Sequence, residues 1–276
     1  GMDTSSRIVV ESLKKVLGVS FRLINKPAGG GIGGLEEALR EPADGYTMSI
    51  VLNLTATRPL FAGQDKPFDM TRVAYVGRYA ANTRFIVANK DAPYNDLGEM
   101  LEWAAKNPGK LRYAEAGRSH QAQVKLLAEK YNAEIQWVWF NSGGDVANAQ
   151  IGGHVDASGN GTGTAAMGAV LAGNLKVLAN LGSHTIPGFP DLKSITDFGA
   201  ERAIDAELGF VIKAGTDEAM RQKLEDALKT ILEDPEVRKR MINANWLPAF
   251  MPGKEWGEKS VGDAEAAYAV YQMTIK

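Results

Sequence analysis

Short apolar stretches typical of buried strands alternate with amphipathic helical patterns along almost the whole chain. Near the start, Ile8, Val9 and Leu13 mark one apolar face of a helix predicted over residues 4–17, with Asp3 as its cap. Strands are predicted over residues 21–24 and 46–52. This alternation predicts an α/β protein, in which helices cover a sheet of largely parallel strands. Because such a sheet normally opens with a strand, we expect one before residue 1.

The order of the elements divides the chain into two predicted α/β lobes. The first lobe consists of residues 1–84 and 206–276, and the second of residues 85–205. Ligands of open α/β sheets bind at the carboxyl ends of the strands, where helix N-termini point. We therefore expect the cleft between two facing lobes to be the binding site.

Composition excludes several classes of protein. The 31 lysines and arginines nearly balance the 33 aspartates and glutamates, and the net charge of −2 argues against a nucleic-acid partner. The chain contains no cysteine, so it has no disulfide, thiolate nucleophile or cysteine-ligated zinc. A chain without cysteine is compatible with the cytoplasm and the periplasm alike.

Membrane, targeting and metal signals are weak. The most apolar stretch, residues 164–181, is interrupted by Asn174 and Lys176, so we interpret it as a buried helix followed by a strand. Residues 1–20 show no signal peptide. The three histidines, His120, His154 and His184, lie far apart in the sequence and predict no metal site.

A glycine-rich loop is the first candidate binding motif. Residues 29–34 formally match G-x-G-x-x-G between a predicted strand and a predicted helix. A dinucleotide site also needs an acidic residue at the end of the next strand, but that strand ends at Leu52 and Asn53. The loop is therefore better interpreted as exposing backbone N–H groups to another kind of anion.

Ser119 and His120 form a second candidate motif. The surrounding residues do not match G-x-S-x-G, and adjacent residues rarely orient as nucleophile and base. We instead predict that Ser119 caps a helix whose first-turn amides, with His120, line an anion pocket. Of the arginines that could meet a carboxylate, only Arg118 is placed by this argument. The others are more often surface charges: Arg58, Arg78 and Arg84.

Several segments, in the same order along the chain, resemble motifs of the periplasmic solute receptors of tripartite tricarboxylate transporters, often called Bug receptors. Each segment is weak alone, and the order makes the set fairly specific. The segments are Gly1-Met2-Asp3-Thr4, Asn25-Lys26-Pro27 with Gly31-Ile32-Gly33, Pro42-Ala43-Asp44-Gly45-Tyr46-Thr47, residues 103–111 with Asn107-Pro108-Gly109-Lys110-Leu111, Gly152-Gly153-His154-Val155-Asp156, and Ala214-Gly215-Thr216 with Asp234-Pro235-Glu236-Val237.

The resemblance implies a two-lobed, type II-like periplasmic binding protein of the Venus-flytrap kind, which performs no catalysis and uses no cofactor. It implies capture of a small carboxylate, a di- or tricarboxylate or an acidic amino acid, for delivery to a membrane permease. Backbone amides and water would hold the ligand carboxylate. The ligand-binding positions carried over, together with Arg118, are Asp3, Thr4, Gly30, Gly31, Asn53, Thr55, Ser119, His120, Asn160 and Thr162, the last two in a predicted loop.

This sequence also departs from the family pattern. The family's first strand would precede Gly1, so the first lobe is expected to lack it, and a second chain could complete the sheet. The loop over residues 116–120 is shorter than its counterpart, and Arg118 could supply charge that amides supply elsewhere. Two alternatives stay open: a nucleotide-dependent enzyme that uses the glycine-rich loop, and a sensor accessory that docks on a membrane kinase.

Overall fold

The computed structural model describes residues 2–26, 31–61 and 63–274. The chain divides into two compact units. Unit 1 is Gly1–Ala81 with Ala206–Tyr268, and unit 2 is Asn82–Asp205 with Ala269–Lys276. No helix in the described ranges combines the length and the apolar character that crossing a membrane requires.

Unit 1 contains a four-stranded sheet in the order β1-β8-β2-β9. β1 (Met48–Leu52) pairs antiparallel with β8 (Ala206–Lys213), and β2 (Val73–Asn82) pairs antiparallel with β9 (Leu247–Pro252). Most of β8 is buried, as expected for an inner strand. The sheet is thus not the largely parallel one that the sequence predicted.

The helices of unit 1 follow their apolar periodicity. A core cluster joins α1 (Met2–Leu17), α8 (Glu218–Glu233) and α9 (Pro235–Asn243) to the sheet. In α1, the predicted stripe of Ile8, Val9 and Leu13 is buried. The other helices of this part of the chain are α2 (Ile32–Ala38), α3 (Arg58–Phe61) and α10 (Gly253–Met273).

Unit 2 contains a five-stranded sheet in the order β5-β4-β6-β3-β7. Its three parallel strands are β4 (Leu111–Glu115), β5 (Ile135–Trp139) and β6 (Ala157–Gly161). β3 (Arg84–Asn89) runs antiparallel to β6 and to β7 (Leu175–Asn180). The interior of β3 is fully buried because helices cover both faces of the sheet.

The helices of unit 2 pack in pairs on the two faces of its sheet. α4 (Leu97–Lys106) and α5 (Arg118–Lys130) bury Met100 and Val124 in one cluster. α6 (Gly143–Ile151) and α7 (Ala165–Leu171) bury Ala147 and Met167 in another. The elements that follow β4, β5 and β6 are therefore α5, α6 and α7, one after each parallel strand.

One strand prediction was wrong, and one strand of the structure was missed. Residues 21–24 form no strand, because no described strand pairs with them, although Phe21 and Leu23 pack against the core of unit 1. β9 was not predicted, because proline cannot donate a backbone hydrogen bond and its two prolines argue against a strand. Pro248 and Pro252 are tolerated since β9 lies at the edge of the sheet.

The C-terminal segment also differs from the prediction, which assigned all of residues 206–276 to the first lobe. Residues from Ala269 onward group with unit 2. A long-range hydrogen bond contributes to this grouping, since Lys125 Nζ in α5 donates to the Thr274 carbonyl at 2.7 Å. The α10 helix pattern gives no indication of such a contact.

Gly209 in β8 allows a close approach between the sheet and α10. A Cβ at Gly209 would lie 2.3–2.5 Å from the Trp256 ring and 2.4 Å from the Gly77 carbonyl oxygen. We expect Gly209→Ala to lower the free energy of unfolding by about 1–3 kcal/mol, measured by urea denaturation, because a rigid ring and a backbone oxygen must move. Gly168→Ala in α7 is the control. It meets nothing within 4 Å, so it should raise stability by up to about 1 kcal/mol. Equal effects of the two changes would contradict this packing.

Candidate ligand-binding site

The residues predicted to bind ligand in unit 2 lie at one edge of its sheet, where the parallel strands end. β4 and β6 are parallel, so their carboxyl ends, Glu115 and Gly161, lie at the same edge. β3 runs in the opposite direction and begins there, with Arg84 paired to Gly161. Helices that follow parallel strands start at this edge, so their N–H groups are available to an anion.

The start of α5 leaves its first amides open. Gly117 is the N-cap, and no side chain caps the helix. The Gly117 carbonyl accepts from the amide of Gln121, so the N–H groups of Arg118, Ser119 and His120 have no partner within the helix. The helix dipole adds positive partial charge at the same point. This arrangement favours an anion.

The prediction that Ser119 caps α5 was wrong. α5 begins at Arg118, because Gly117 has the extended backbone of an N-cap. Ser119 is buried, and its hydroxyl forms no hydrogen bond with any residue of the described ranges. It therefore has a free hydroxyl beside the open amides rather than a capping bond.

His120 is buried and neutral. Its Nε2 lies 3.1 Å from the Ile204 carbonyl, to which it donates, and its Nδ1 is buried without a hydrogen-bond partner. Burial lowers the pKa of His120 well below 6.5, and the charge of Arg84 lowers it further. Because Nε2 faces Ile204, the ring is not oriented as a base toward Ser119, and as a neutral ring it offers an anion no charge.

Arg118 stacks on an aromatic ring of the neighbouring edge strand. The guanidinium carbon lies 4.6 Å from the ring centroid of Trp139, which is 39% exposed. Trp137, two residues earlier in β5, packs edge-on against Tyr113 with the ring centroids 5.5 Å apart. The cation–π contact orients Arg118, which otherwise has a long and flexible side chain.

Asn160 and Thr162 were predicted in a loop, but Asn160 belongs to β6 and only Thr162 follows it. Asn160 Nδ2 donates to Ser158 Oγ at 2.8 Å, whereas its Oδ1 is buried without a partner. Thr162 Oγ1 donates to Asn82 Oδ1 at 3.0 Å. β6 extends further than predicted because its pairing with β3 continues to Gly161, although glycine and asparagine are weak strand formers.

Arg84 and Glu115 form a buried ion pair that the sequence did not single out. Glu115 has no solvent exposure, and its Oε1 accepts from Arg84 Nη2 and from the amides of Ala116 and Gly117, the last two at 2.9 and 3.0 Å. Burial raises the pKa of Glu115, and the Arg84 charge opposes this rise. The pair joins β3 to the start of α5.

In unit 1, the predicted side chains after β1 hold the backbone. Asn53 Oδ1 accepts from the Glu207 amide at 3.0 Å, and Asn53 Nδ2 donates to Asp263 Oδ2 at 2.9 Å. Thr55 Oγ1 accepts from the Leu52 amide at 3.1 Å. These contacts shape the turn and the 3-10 segment that follow β1, and they use the side-chain groups that were predicted to meet a ligand.

The other unit 1 predictions have mixed outcomes. Asp3 lies inside the first turn of α1, and its carboxylate binds Arg7 and Asn25 side chains at 2.8 Å, so it does not act as the predicted backbone cap. Thr4 is exposed. Gly31 is the left-handed N-cap of α2, and Gly30 lies outside the described residues.

The described residues do not form the arrangements that a metal site or a dinucleotide site requires. Within the described ranges, no three histidine, aspartate or glutamate side chains cluster as a metal site would require. α2 is only seven residues long, and β1 ends at Leu52 without an adjacent acid, which disfavours a dinucleotide at the glycine-rich loop. The arrangement is suited to binding.

Comparison with known families agrees with this geometry. Residues 5–256 match the tripartite tricarboxylate transporter family receptor, TctC. The match covers most of the chain, so the protein belongs to this family. The resemblance inferred from sequence motifs is thereby confirmed. The family consists of periplasmic solute-binding receptors, which are not enzymes.

A curated relative and three solved structures illustrate the similarity. The "UPF0065 protein in gbd 5'region" of Cupriavidus necator is 24% identical over 93% of this chain and 78% of its own length. A structure described as a periplasmic transporter is 25% identical, with a TM-score of 0.83 over 99% of this chain and 92% of that one. MatC from Rhodopseudomonas palustris with bound malate is 20% identical, with a TM-score of 0.80 over 98% of this chain and 94% of that one. An R. palustris protein with adipate is 18% identical, with a TM-score of 0.82 over 98% of this chain and 91% of that one. These structures confirm the predicted α/β fold of the periplasmic-binding-protein kind.

The neutral state of His120 predicts a specific pH dependence of stability. Its pKa is lower in the folded than in the unfolded chain, so the unfolded chain takes up the proton first as the pH falls. The stabilisation of the fold by the neutral His120 is complete above the unfolded pKa of about 6.5. It is lost as the pH falls toward the folded pKa, and the free energy of unfolding then decreases by at most about 1.4 kcal/mol per pH unit.

Denaturant titrations between pH 7.5 and 5.5 test this dependence. His120→Gln keeps an amide donor for the Ile204 carbonyl, so its stability should fall less steeply with acidification than that of the wild type. The exposed His154→Gln variant is the control and should keep the wild-type slope. The raised pKa of Glu115 acts in the opposite direction but is present in all three proteins. Identical slopes for wild type and His120→Gln would contradict the assignment.

Proposed function

We propose that this protein is a periplasmic receptor that captures a small carboxylate and delivers it to the membrane permease of a tripartite tricarboxylate transporter. The observation that carries the proposal is the uncapped start of α5 at the carboxyl end of β4, with the buried Ser119 in its first turn. Family membership supports the transport role.

The capping pattern of unit 2 supports an anion at α5. α4 is capped by Asp96 and α6 by Ser142, so these helices satisfy their own first amides. α5 has no such bond, nor does the seven-residue α7, and leaving first-turn N–H groups without an acceptor costs free energy where water is excluded. A ligand carboxylate supplies the missing acceptor and interacts favourably with the helix dipole.

The ligands of related structures point to the same class. MatC was solved with malate and the second R. palustris protein with adipate, and both molecules are small dicarboxylates. We therefore propose a small carboxylate for this chain as well. A neutral His120 is consistent with this class, because hydrogen-bond donors can hold a carboxylate without a full positive charge beside it.

The remaining predicted contacts take supporting roles in this proposal. In unit 2, Asn160 and Thr162 border the same edge as α5, and Arg118 adds charge beside its first turn. In unit 1, the backbone of Asp3, Thr4 and Gly31 is the proposed contact, since the Asp3 carboxylate is negative and already bound. Asn53 and Thr55 are proposed to hold the turn that presents its backbone to the ligand.

A binding screen tests the function directly. Thermal shift followed by calorimetry should identify stabilisation by at least one compound among malate, adipate, succinate, citrate, aspartate and glutamate. A ligand at 100 times its Kd should add about 2.7 kcal/mol to the free energy of unfolding. Neutral diamides of the same acids are the matched controls and should not stabilise the protein. Absence of binding by every acid would refute the proposal.

Ser119 provides the mutational test of the site. We expect Ser119→Ala to weaken binding of the best ligand about two- to tenfold, because one neutral hydrogen bond is lost. Ser142→Ala removes a serine hydroxyl from the N-terminus of α6 and should lower stability by about 1 kcal/mol without changing affinity. Calorimetry and denaturation of both variants separate the effects. A greater loss of affinity in Ser142→Ala would place the ligand elsewhere.

A further inference from the structure

We propose that Arg84 binds the ligand carboxylate through its Nη1 atom and that Glu115 is the residue that positions Arg84 for this contact. The inference deepens the proposed receptor function and rests on it. It adds a side-chain anchor to a site otherwise made of backbone amides, and it assigns the buried Arg84–Glu115 pair a role in recognition.

The three guanidinium nitrogens of Arg84 have different surroundings. Nη2 donates to Glu115 Oε1 and to the Gly159 carbonyl, the latter at 3.1 Å. Nε is buried without a partner. Nη1 donates to no residue in the described ranges and is not enclosed, and the side chain keeps 14% exposure. Arg84 is thus held at one end and open at the other.

The pair lies beside the open amides of α5. Glu115 Oε1 accepts from Arg84 and also from the Gly117 amide, and Gly117 is the N-cap of α5. One oxygen atom therefore fixes the guanidinium next to the start of the helix. A single carboxylate can accept from Nη1 with one oxygen and from first-turn amides with the other, and the bond to the charged guanidinium is the stronger kind of hydrogen bond.

The sheet makes room for this pair at Gly159. A Cβ at this position would lie 1.9 Å from Glu115 Oε2 and 2.9 Å from the Tyr113 hydroxyl. β6 therefore has to omit a side chain where Glu115 crosses it. Glu115 Oε2 and the Tyr113 hydroxyl are themselves buried without partners, so the pair is not arranged to satisfy every polar group.

A purely structural pair would be arranged differently. Replacing a buried ion pair by apolar residues is often neutral or stabilising, so burial of the pair is weak evidence for a purely structural role. Arg112 and Asp156, a more exposed pair that also involves β4, make two side-chain hydrogen bonds at 3.0 and 2.8 Å. Arg84 instead leaves Nη1 toward solvent at the edge where α5 begins.

Three variants test the anchor and its positioning residue. In Arg84→Gln/Glu115→Gln both charges are removed together, so no buried charge is left unpaired. Glu115→Gln alone keeps an acceptor for the Ala116 and Gly117 amides but removes the charged partner that positions Arg84. Arg112→Gln/Asp156→Asn is the matched control, since it removes an arginine–carboxylate pair elsewhere on β4.

Calorimetry with malate and adipate gives the first readout. The Arg84→Gln/Glu115→Gln variant should bind about ten- to a hundredfold more weakly, the loss expected for a charged hydrogen bond. Glu115→Gln should bind about tenfold more weakly, because the guanidinium loses the charged partner that positions it. The Arg112→Gln/Asp156→Asn control should bind as the wild type does. Wild-type affinity in the Arg84→Gln/Glu115→Gln variant would overturn the anchor, and wild-type or tighter binding in Glu115→Gln would overturn the positioning role.

An NMR titration makes the inference independent of ligand identity. Acetate, the minimal carboxylate probe, should shift the Arg84 ¹⁵Nε resonance, assigned by its absence in Arg84→Lys. If no acid of the screen binds but acetate shifts this resonance, the receptor proposal fails while the anchor stands. If an acid binds and neither it nor acetate moves the resonance, the anchor fails while the receptor proposal stands.

Discussion

A carboxylate that is cut off from solvent requires a positive partner, and each unit of this protein is organised around one such carboxylate. In unit 1, Glu207 accepts from Arg78 Nη1 at 2.5 Å and from Trp256 Nε1 at 3.0 Å. In unit 2, Glu115 accepts from Arg84. Removing one member of a buried pair costs roughly 3–5 kcal/mol. The strands that carry these residues therefore depend on each other for their positions.

The two ion pairs differ in how the remaining guanidinium nitrogens of the arginine are used. Arg78 uses a second nitrogen, Nε, to donate to the Ala249 carbonyl at 3.0 Å, so it ties β2 to the segment that forms β9. In Arg84, Nη2 donates to Glu115, whereas Nη1 has no partner among the described residues and is accessible to solvent. The same residue types thus hold a strand edge together in one unit and supply an accessible cation in the other.

Local patterns predicted the helices well and the sheet pairing poorly. α9 spans Pro235–Asn243 because Asp234 caps it and Pro235 begins it, and both are local sequence signals. Strand partners are not local, and so residues 21–24 were assigned to a strand that has no described neighbour. β9 was missed because only its edge position, which the sequence does not reveal, makes its prolines acceptable.

The candidate site likewise has a part that local sequence patterns predict and a part that depends on strand pairing. The segment at residues 117–120 could be recognised as a helix start after a strand, which is a local feature, although the predicted cap at Ser119 was wrong and Gly117 is the N-cap. Arg84 could not be chosen among four arginines, because its partner lies 31 positions away and its edge position comes from the pairing with Gly161. Open helix starts are thus visible in a sequence before the side chains that strand register places beside them. For a receptor, those side chains depend on strand register, and they are where members of one fold can differ in what they bind.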